Sequence, residues 1–327
     1  MLLGFDIGGT KSAVVLGKDD EKGSLNILAK ESIPTMGTPH EMIEKLFWIA
    51  AQLLKEKNIA GEPVEGIGIN CGGPLSSKKG LILSPPNLPG WDNIPIVEIC
   101  EKHFGVKTIL QNDANAGAVA EWKYGAGRGF SNVIFLTFGT GMGAGLVLDG
   151  RLYSGTTDLA GEVGHLRLAE MGPVGFGKAG SFEGYCSGGG IAQLAQIKAR
   201  EQLQMGRKVS FCASLGDLPR ITAKSVADAA KKGDAVAIDV YNTCAFYLGR
   251  GLSLLIDIIN PEIIILGSIY GRSRELIETA MHDVIRQETL SDAYADCRIV
   301  PAGLGEAIGD YSALSLAGMA AELVSTN

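Results

Sequence analysis

The sequence predicts a two-domain protein of mixed α/β class, and three observations carry that expectation. Its 327 residues exceed the span of one typical domain. Apolar runs with strand character alternate with apolar residues at helical spacing along the chain. A hairpin built on a glycine turn occurs twice, once in each half, and duplication of such a unit suggests two related domains facing one ligand.

The elements follow in order. Residues 2–16 read as a strand (LLGFDI), a tight turn (GGTK) and a second strand. Residues 39–58 repeat apolar side chains at Met42, Ile43, Leu46, Ile49, Ala50, Leu53 and Leu54, the period of an amphipathic helix. Strands are expected at 64–70 and 106–111, separated by a loop over 84–95 that carries Pro85, Pro86, Pro89 and Pro95. A strand end then runs into a helix over 112–125. TFGTGMGAGLVLDG (137–150) repeats the design of FDIGGTKSAVVLG (5–17): a strand, a Gly/Thr turn, a small residue and a second apolar strand ending in glycine. A glycine-rich loop region (150–190), helices at 191–205 and 222–259, a strand at 262–267 and a last helix near 312–324 complete the expectation.

Composition removes several classes of function. There are 45 glycines, roughly twice average usage, but only 12 prolines and no G-X-Y period, so the chain is not collagen-like. A content of 46% hydrophobic and 20% charged residues is enough to build a core and excludes a disordered chain. The net charge of −7, without a Lys/Arg cluster, argues against a nucleic-acid partner. The six cysteines form no C-x-x-C pair, so buried reduced thiols in a cytoplasmic protein are expected. MLLGFDIGGT has no basic n-region and meets Asp6 early, unlike a signal peptide. The uncharged stretch from Gly129 to Leu148 is interrupted by GTGMG and fits a hairpin better than a membrane helix, so no membrane partner is expected.

The glycine turns suit polyphosphate. Backbone N–H groups converge where no Cβ intervenes, and Thr10, Lys11 and Thr140 add hydroxyls and a charge. Neither turn has Walker A or Rossmann spacing, and taken singly each would be only a turn. Asp6, before the first turn, could hold a Mg²⁺-bound water or merely shape the hairpin as an Asx turn. Asp113 in QNDANA is the main catalytic candidate. A carboxylate between a strand and a helix can take the proton of an attacking hydroxyl, while its plainer role would be a helix N-cap. Asn112 beside it could bind a polyol hydroxyl or help the turn.

DIGGTK, NDANA, GTGMGAG, GEVGH (161–165), GSFEGYCSG (180–188), NPEIIILGS (260–268) and LGEAIGDYSALSLAG (304–318) stand in the order of the ROK family of sugar kinases, sugar-responsive repressors and uncharacterised reading frames, and the chain resembles that family over almost its whole length. The resemblance implies an actin-like, hexokinase-type, ribonuclease H-like α/β fold with two domains (1–111 plus 312–327, and 112–311) and a cleft between them. It implies that Asp113 is the general base, that Asn112, Glu162, His165 and Glu183 hold sugar hydroxyls, and that Gly73 meets the sugar through its backbone. It further implies that Asp6, Gly8, Gly9, Thr10 and Lys11 with Gly139, Thr140 and Gly141 bracket the phosphates of Mg·ATP, and that Gly267 and Ser268 approach the adenosine. The family usually has two glycines at that last place, so Ser268 is a departure. A dimer or tetramer is the usual assembly.

The largest departure is at the metal. The family's C-x-C-G-x-x-G-C-x-E, whose cysteines bind structural zinc with the histidine of the G-H motif, here runs from Val174 to Glu183, with Val174, Phe176 and Ser181 at the cysteine positions. A closed zinc site takes about four N/S ligands, so His165 alone does not make one, no structural zinc is expected, and Val174 and Phe176 are expected to turn inward and hold the loop by packing. Glu162 and His165 at i and i+3 converge only if the chain turns there, which Gly161 and Gly164 permit; otherwise they are a solvated charge and a core histidine.

Two functions follow. The first is an ATP-dependent kinase acting on a hexose or N-acetylhexosamine. The second is a non-catalytic sugar sensor or transcriptional regulator. The family's repressors carry an N-terminal helix-turn-helix segment, for which DIGGTK at residue 6 leaves no room, and they often erode the turns, which are intact here. An actin-like ATPase with a non-sugar substrate is a third reading, against which the Glu162, His165 and Glu183 set argues.

Overall fold

A computed structural model describes residues 1–20, 23–56 and 62–325. The chain opens with β1 (Leu2–Ile7), β2 (Lys11–Asp19), β3 (Leu25–Pro34), α1 (Pro39–Glu56), β4 (Gly66–Cys71), a small hairpin β5 (Leu75–Ser76) and β6 (Leu81–Ile82), α2 (Ile96–Phe104), β7 (Thr108–Gln111) and α3 (Asp113–Tyr124). It continues with β8 (Val133–Phe138), β9 (Met142–Leu148), β10 (Arg151–Leu152), the short pair β11 (Val174–Gly175) and β12 (Lys178–Ala179), α4 (Phe182–Tyr185), α5 (Gly188–Gln204), α6 (Ala223–Lys231) and α7 (Ala235–Ile259). The remainder is β13 (Ile263–Leu266), α8 (Ser268–Glu288), α9 (Ser291–Ala295), β14 (Arg298–Pro301) and α10 (Ile308–Ser325).

The two larger sheets have one plan. The first runs β3-β2-β1-β4-β7 and the second β10-β9-β8-β13-β14. In the first, β1 pairs antiparallel with β2 and parallel with β4, which pairs parallel with β7. In the second, β13 lies parallel to both β8 and β14. Each sheet is thus a glycine-turn hairpin extended by one strand on one side and two parallel strands on the other, so the echo between 5–17 and 137–150 extends to a repeat of topology.

The chain divides into two compact units. Unit 1 comprises 1–129, 145–160 and 303–327, and unit 2 comprises 130–144 and 161–302, with the division passing through β9. In unit 1 the expected helical stripe is realised: Met42, Ile43, Leu46, Ile49, Ala50 and Leu53 of α1 are buried in one core with Phe5, Ile69 and Trp91. Residues 57 and 58 of the expected helix lie outside the described residues. On the other side α10 packs against β1, β4 and α3. That approach is close: a Cβ on Gly68 of β4 would come within 2.0 Å of the Ala313 carbonyl oxygen. Glu121, fully buried near the end of α3, accepts from the backbone N–H groups of Ala126 (2.8 Å), Gly303 (3.1 Å) and Leu304 (2.9 Å). The three bonds compensate a buried charge that would otherwise be costly, and they tie α3 to the segment leading into α10.

The expected 222–259 helix is two helices, α6 capped by Thr222 and α7 capped by Asp234, because Gly233 takes φ +88° between them. The region 150–190 holds β10, the β11–β12 pair and α4 as well as loop. Among the described residues no helix is long and apolar enough to cross a membrane.

Candidate active site

In unit 1 the parallel strands β1, β4 and β7 end at one edge of their sheet, the usual place for ligands in open α/β sheets. Gly8, Gly9, Thr10 and Lys11 follow or begin the strands at the first turn, Gly73 follows β4, and Asn112 and Asp113 follow β7. The unit 1 candidates are therefore brought to one edge. Gly8 donates its N–H to the Lys11 carbonyl (3.1 Å), and Thr35 of the neighbouring strand segment donates its hydroxyl to the Gly8 carbonyl (2.7 Å).

Asn112, not Asp113, is the N-cap of α3, its Oδ1 accepting from the Asn115 N–H at 2.8 Å. This takes the capping duty away from Asp113, the first residue of the helix. Asp113 accepts from the Ala114 N–H with Oδ1 (2.9 Å) and its side chain is open to solvent on one side. Crowding by protein on the others strips part of its hydration and pushes the carboxyl above its ordinary pKa.

Asp6 accepts from Asn70 Nδ2 (2.9 Å). Burial and the charge of Asp310 push its carboxyl up to about 6, partly opposed by Asn70 and Lys30. Lys30 of β3 pairs with Asp310 of α10 at 2.6 Å. Cys71, at the end of β4, is pushed up to about 12 by burial and by Asp113 and Asp6, and is an inert thiol. Lys30 carries no motif that separates it from a surface charge, and Asp310, although it falls within LGEAIGDYSALSLAG, has no role assigned there; only the return of α10 to β1 reveals the pair.

In unit 2 the second turn, Gly139, Thr140 and Gly141, lies between the starts of two helices. Gly188, opening α5, donates its N–H to the Gly139 carbonyl at 2.7 Å. Ser268, opening α8, donates its hydroxyl to the Phe138 carbonyl at 3.1 Å, and Gly267, the N-cap of α8, has no side-chain cap bond. Glycines 188–190 at the start of α5 went unassigned in the sequence reading. The Gly188 N–H is committed to Gly139 and the Gly190 N–H to Ser187 Oγ (3.0 Å), which leaves the Gly189 N–H as the additional backbone donor at the start of α5.

Glu162 and His165 sit on one 3₁₀ turn, His165 N–H donating to the Glu162 carbonyl at 3.1 Å. Gly161 has φ +88°, and a Cβ there would meet the Ala144 carbonyl oxygen at 1.9 Å, so the turn requires glycine. Glu183 accepts from the Met142 N–H at 3.0 Å through Oε2. It is thereby fixed beside the second turn, and Oε1 keeps its acceptor capacity.

The loop in the zinc frame is not held by inward packing. Val174 and Phe176 are exposed, at 46% and 74%, which corrects the expectation from sequence. Hydrogen bonds hold it instead. Gln193 of α5 accepts from the Val174 N–H (3.0 Å) and donates to its carbonyl (2.9 Å), Tyr185 donates to the Met171 carbonyl (2.8 Å), and Lys178 donates to the His165 carbonyl (2.7 Å). Phe176 meets the His165 ring edge-on at 5.3 Å. Among the described residues no group of three or more His, Cys, Asp or Glu side chains could hold a metal ion, and the six cysteines are buried and unbridged.

Comparison with known proteins adds the following. The model of the ROK family matches residues 2–319. The glucokinase of Streptomyces coelicolor is 32% identical over 278 residues, 85% of this chain and 84% of that protein. The DNA-binding transcriptional repressor Mlc of Escherichia coli is 27% identical over 269 residues, 82% of this chain but 62% of the repressor. Among solved structures, a ROK family glucokinase from Streptomyces griseus in complex with glucose and AMPPNP superposes with a TM-score of 0.74 at 30% identity, covering 97% of this chain and 99% of that one. The architecture is the actin-like, hexokinase-type α/β fold.

Proposed function

We propose that this chain, which belongs to the ROK family and is an ATP-dependent sugar kinase, transfers the γ-phosphoryl group of ATP to a hydroxyl of a hexose or N-acetylhexosamine with Asp113 as the general base. The observation that carries the reading is the division of labour at the start of α3: Asn112 caps the helix and Asp113 stands free of that role with a raised pKa.

In this reading Asp113 accepts the proton of the sugar hydroxyl as its oxygen bonds to the γ-phosphorus and ADP departs. A carboxylate with a raised pKa holds a proton more strongly than an ordinary one and is the better base once ionised. Asn112 keeps its Nδ2 for a sugar hydroxyl, and Glu162, His165, Glu183 and the Gly73 backbone supply further donors and acceptors of the mixed kind a polyol needs.

The phosphates are assigned to backbone N–H groups of the turns at 8–11 and 139–141, to Lys11 and to the start of α8, whose cap leaves first-turn donors without a side-chain partner. Gly267 and Ser268 are the proposed approach to the nucleoside. A nucleotide-bound Mg²⁺ keeps several waters and takes one or two carboxylates besides phosphate oxygens. Asp6, with one oxygen committed to Asn70, fits such a water-mediated role. When bound, the ion neutralises phosphate charge, and Asp6 orients its water.

A regulatory role is the second reading, favoured by the match to Mlc. The retained glycine turns favour turnover. ADP release should be measured with Mg·ATP across hexoses, amino sugars and N-acetylated sugars. One or more should stimulate release, and Asp113→Asn should lower kcat by roughly 10²- to 10⁴-fold. Binding of a sugar without stimulated release would support the sensor, and an Asp113→Asn variant as active as the parent would remove the base assignment.

A further inference from the structure

Unit 1 contains a second concavity, a groove of about 980 Å³ lined by the β5–β6 turn, α2, β7, α3, the β9–β10 turn and α10. Its charge is opposite to that of the chain. Two of its lysines are neutralised locally, Lys107 by Glu101 (3.2 Å) and Lys123 by Glu322 (2.6 Å). Lys78, Lys79, Lys102 and Arg151 remain, with Glu98 as the opposing carboxylate in the lining. The groove therefore has a net charge of plus three in a protein of net −7, a local field that selects anions.

The floor is polar. Gln111 Oε1 accepts from Asn115 Nδ2 (3.0 Å), and Ser154 Oγ accepts from both Gln111 Nε2 (3.3 Å) and Asn115 Nδ2 (3.4 Å). Asn115 is fully buried and its Oδ1 has no hydrogen-bond partner among the described residues. Buried amide oxygens are seldom left so, and it is the amide nitrogen of the same side chain that donates to the two groove-lining residues. The same residues belong to the reaction site's framework: Gln111 ends β7, Asn112 caps α3, Asp113 begins it and Asn115 lies in its first turn. Val97, Trp122, Leu152 and Met319 supply apolar walls.

We propose that this groove binds a small polyhydroxylated phosphomonoester, its phosphate held by Lys79, Lys102 and Arg151 and its hydroxyls by Gln111 and Ser154, and that occupancy alters turnover by shifting the Gln111–Asn115 contact, whose two residues flank Asp113 along the chain. A phosphomonoester is dianionic or nearly so at neutral pH and presents several acceptors to lysine and guanidinium donors. The coupling rests on the kinase reading; the binding does not.

Isothermal titration calorimetry with ribose 5-phosphate, ribose, inorganic phosphate and inorganic sulfate tests the binding. The parent should bind ribose 5-phosphate saturably and ribose not at all. The variant Lys79→Ala/Lys102→Ala/Arg151→Ala should bind it about tenfold or more weakly, and Lys79→Arg/Lys102→Arg/Arg151→Lys should restore it. Unchanged affinity in the alanine variant, or sulfate bound as tightly as ribose 5-phosphate, overturns the site. In the sugar-dependent ADP assay, ribose 5-phosphate should change kcat or KM of the parent about twofold or more and leave the alanine variant unaffected; a parent that binds without any kinetic change overturns the coupling. Should no sugar support ADP release, the kinase reading fails while the titration still judges the groove.

Discussion

The two glycine turns share a strand-turn-strand plan and differ in what surrounds them. At the first, the residue two before the opening glycine is Asp6, held at a raised pKa by burial and Asp310. At the second, the corresponding residue is Thr137, whose hydroxyl accepts from the Gly143 N–H at 2.9 Å. The first turn stands beside a titrating carboxylate. The second is closed by a neutral hydrogen bond and flanked by the starts of α5 and α8. Two similar backbones thus carry different surroundings, a buried carboxylate at one and a neutral hydrogen bond at the other.

The comparison breaks most visibly at Asp6 and Thr137. Asp6→Asn should lower kcat/KM by about 10- to 100-fold, the cost of losing an orienting group next to a metal. It should also stabilise the fold in a pH-dependent way. The folded pKa of Asp6 is about 6 against an ordinary 3.8, so the protonated form is the one the fold favours. The ionised carboxylate therefore costs stability as pH rises through 6, and the stabilising contribution is complete only below the unfolded value. Denaturation at pH 8 should show Asp6→Asn ahead of the parent by on the order of 1 to 3 kcal/mol, with the gain gone near pH 3.5. Thr137→Val should instead cost about 1 kcal/mol at both pH values. A pH-independent Asp6→Asn gain would show that its carboxylate is not desolvated as described.

Alanine substitution sharpens the contrast in packing. A Cβ on Gly9 would lie 2.3 Å from the Asn87 carbonyl oxygen and 2.7 Å from Asn87 Cβ, whereas the nearest atom to a Cβ on Gly139 is Ser268 Oγ at 3.7 Å. Gly9→Ala should therefore cost about 1 to 3 kcal/mol of stability, and Gly139→Ala no more than about 0.5. Gly139→Ala should still raise KM for ATP, because its methyl group enters the proposed phosphate cradle. A normal KM would move the phosphates elsewhere.

Asp310 provides a smaller adjustment. Removing its charge takes away an influence that raises the Asp6 pKa and leaves Lys30 acting in the opposite direction. If Asp6 sets the acid limb of kcat/KM against pH, the limb should move to lower pH in Asp310→Asn, whereas a limb set by Asp113 should stay in place. An upward shift would exclude Asp6 as the group that sets the limb.

How much of this could be read from sequence depended on the range of the interaction. Both hairpins, α1 and the α3 start carry their signals within a few residues, as alternation, a 3.6-residue period or a polar cap. The edge strand β3 is largely exposed and lacks a clean apolar alternation, so it gave no such signal. Asp310 approaches Asp6 across 304 positions of chain, and Glu121 meets Gly303 across 182; neither contact leaves a local pattern. The glycine excess was only partly a mark of ligand sites. Gly68 lets α10 approach β4, and nothing in GIGIN distinguishes that use from a turn.

The smallest expected effect belongs to Ser268, where the family resemblance implies a second glycine. Its hydroxyl donates to the Phe138 carbonyl, immediately before the second turn, and its side chain is exposed. Ser268→Gly removes one neutral hydrogen bond and places glycine at the first position of α8, where the backbone is only beginning to be fixed. The stability cost should stay at or below about 1 kcal/mol. If the hydroxyl only steadies the turn, KM for ATP should change by no more than about threefold, which is less than 1 kcal/mol. A tenfold rise would mean that the hydroxyl itself binds the nucleotide, and that the second turn, unlike the first, depends on a side chain as well as on its backbone.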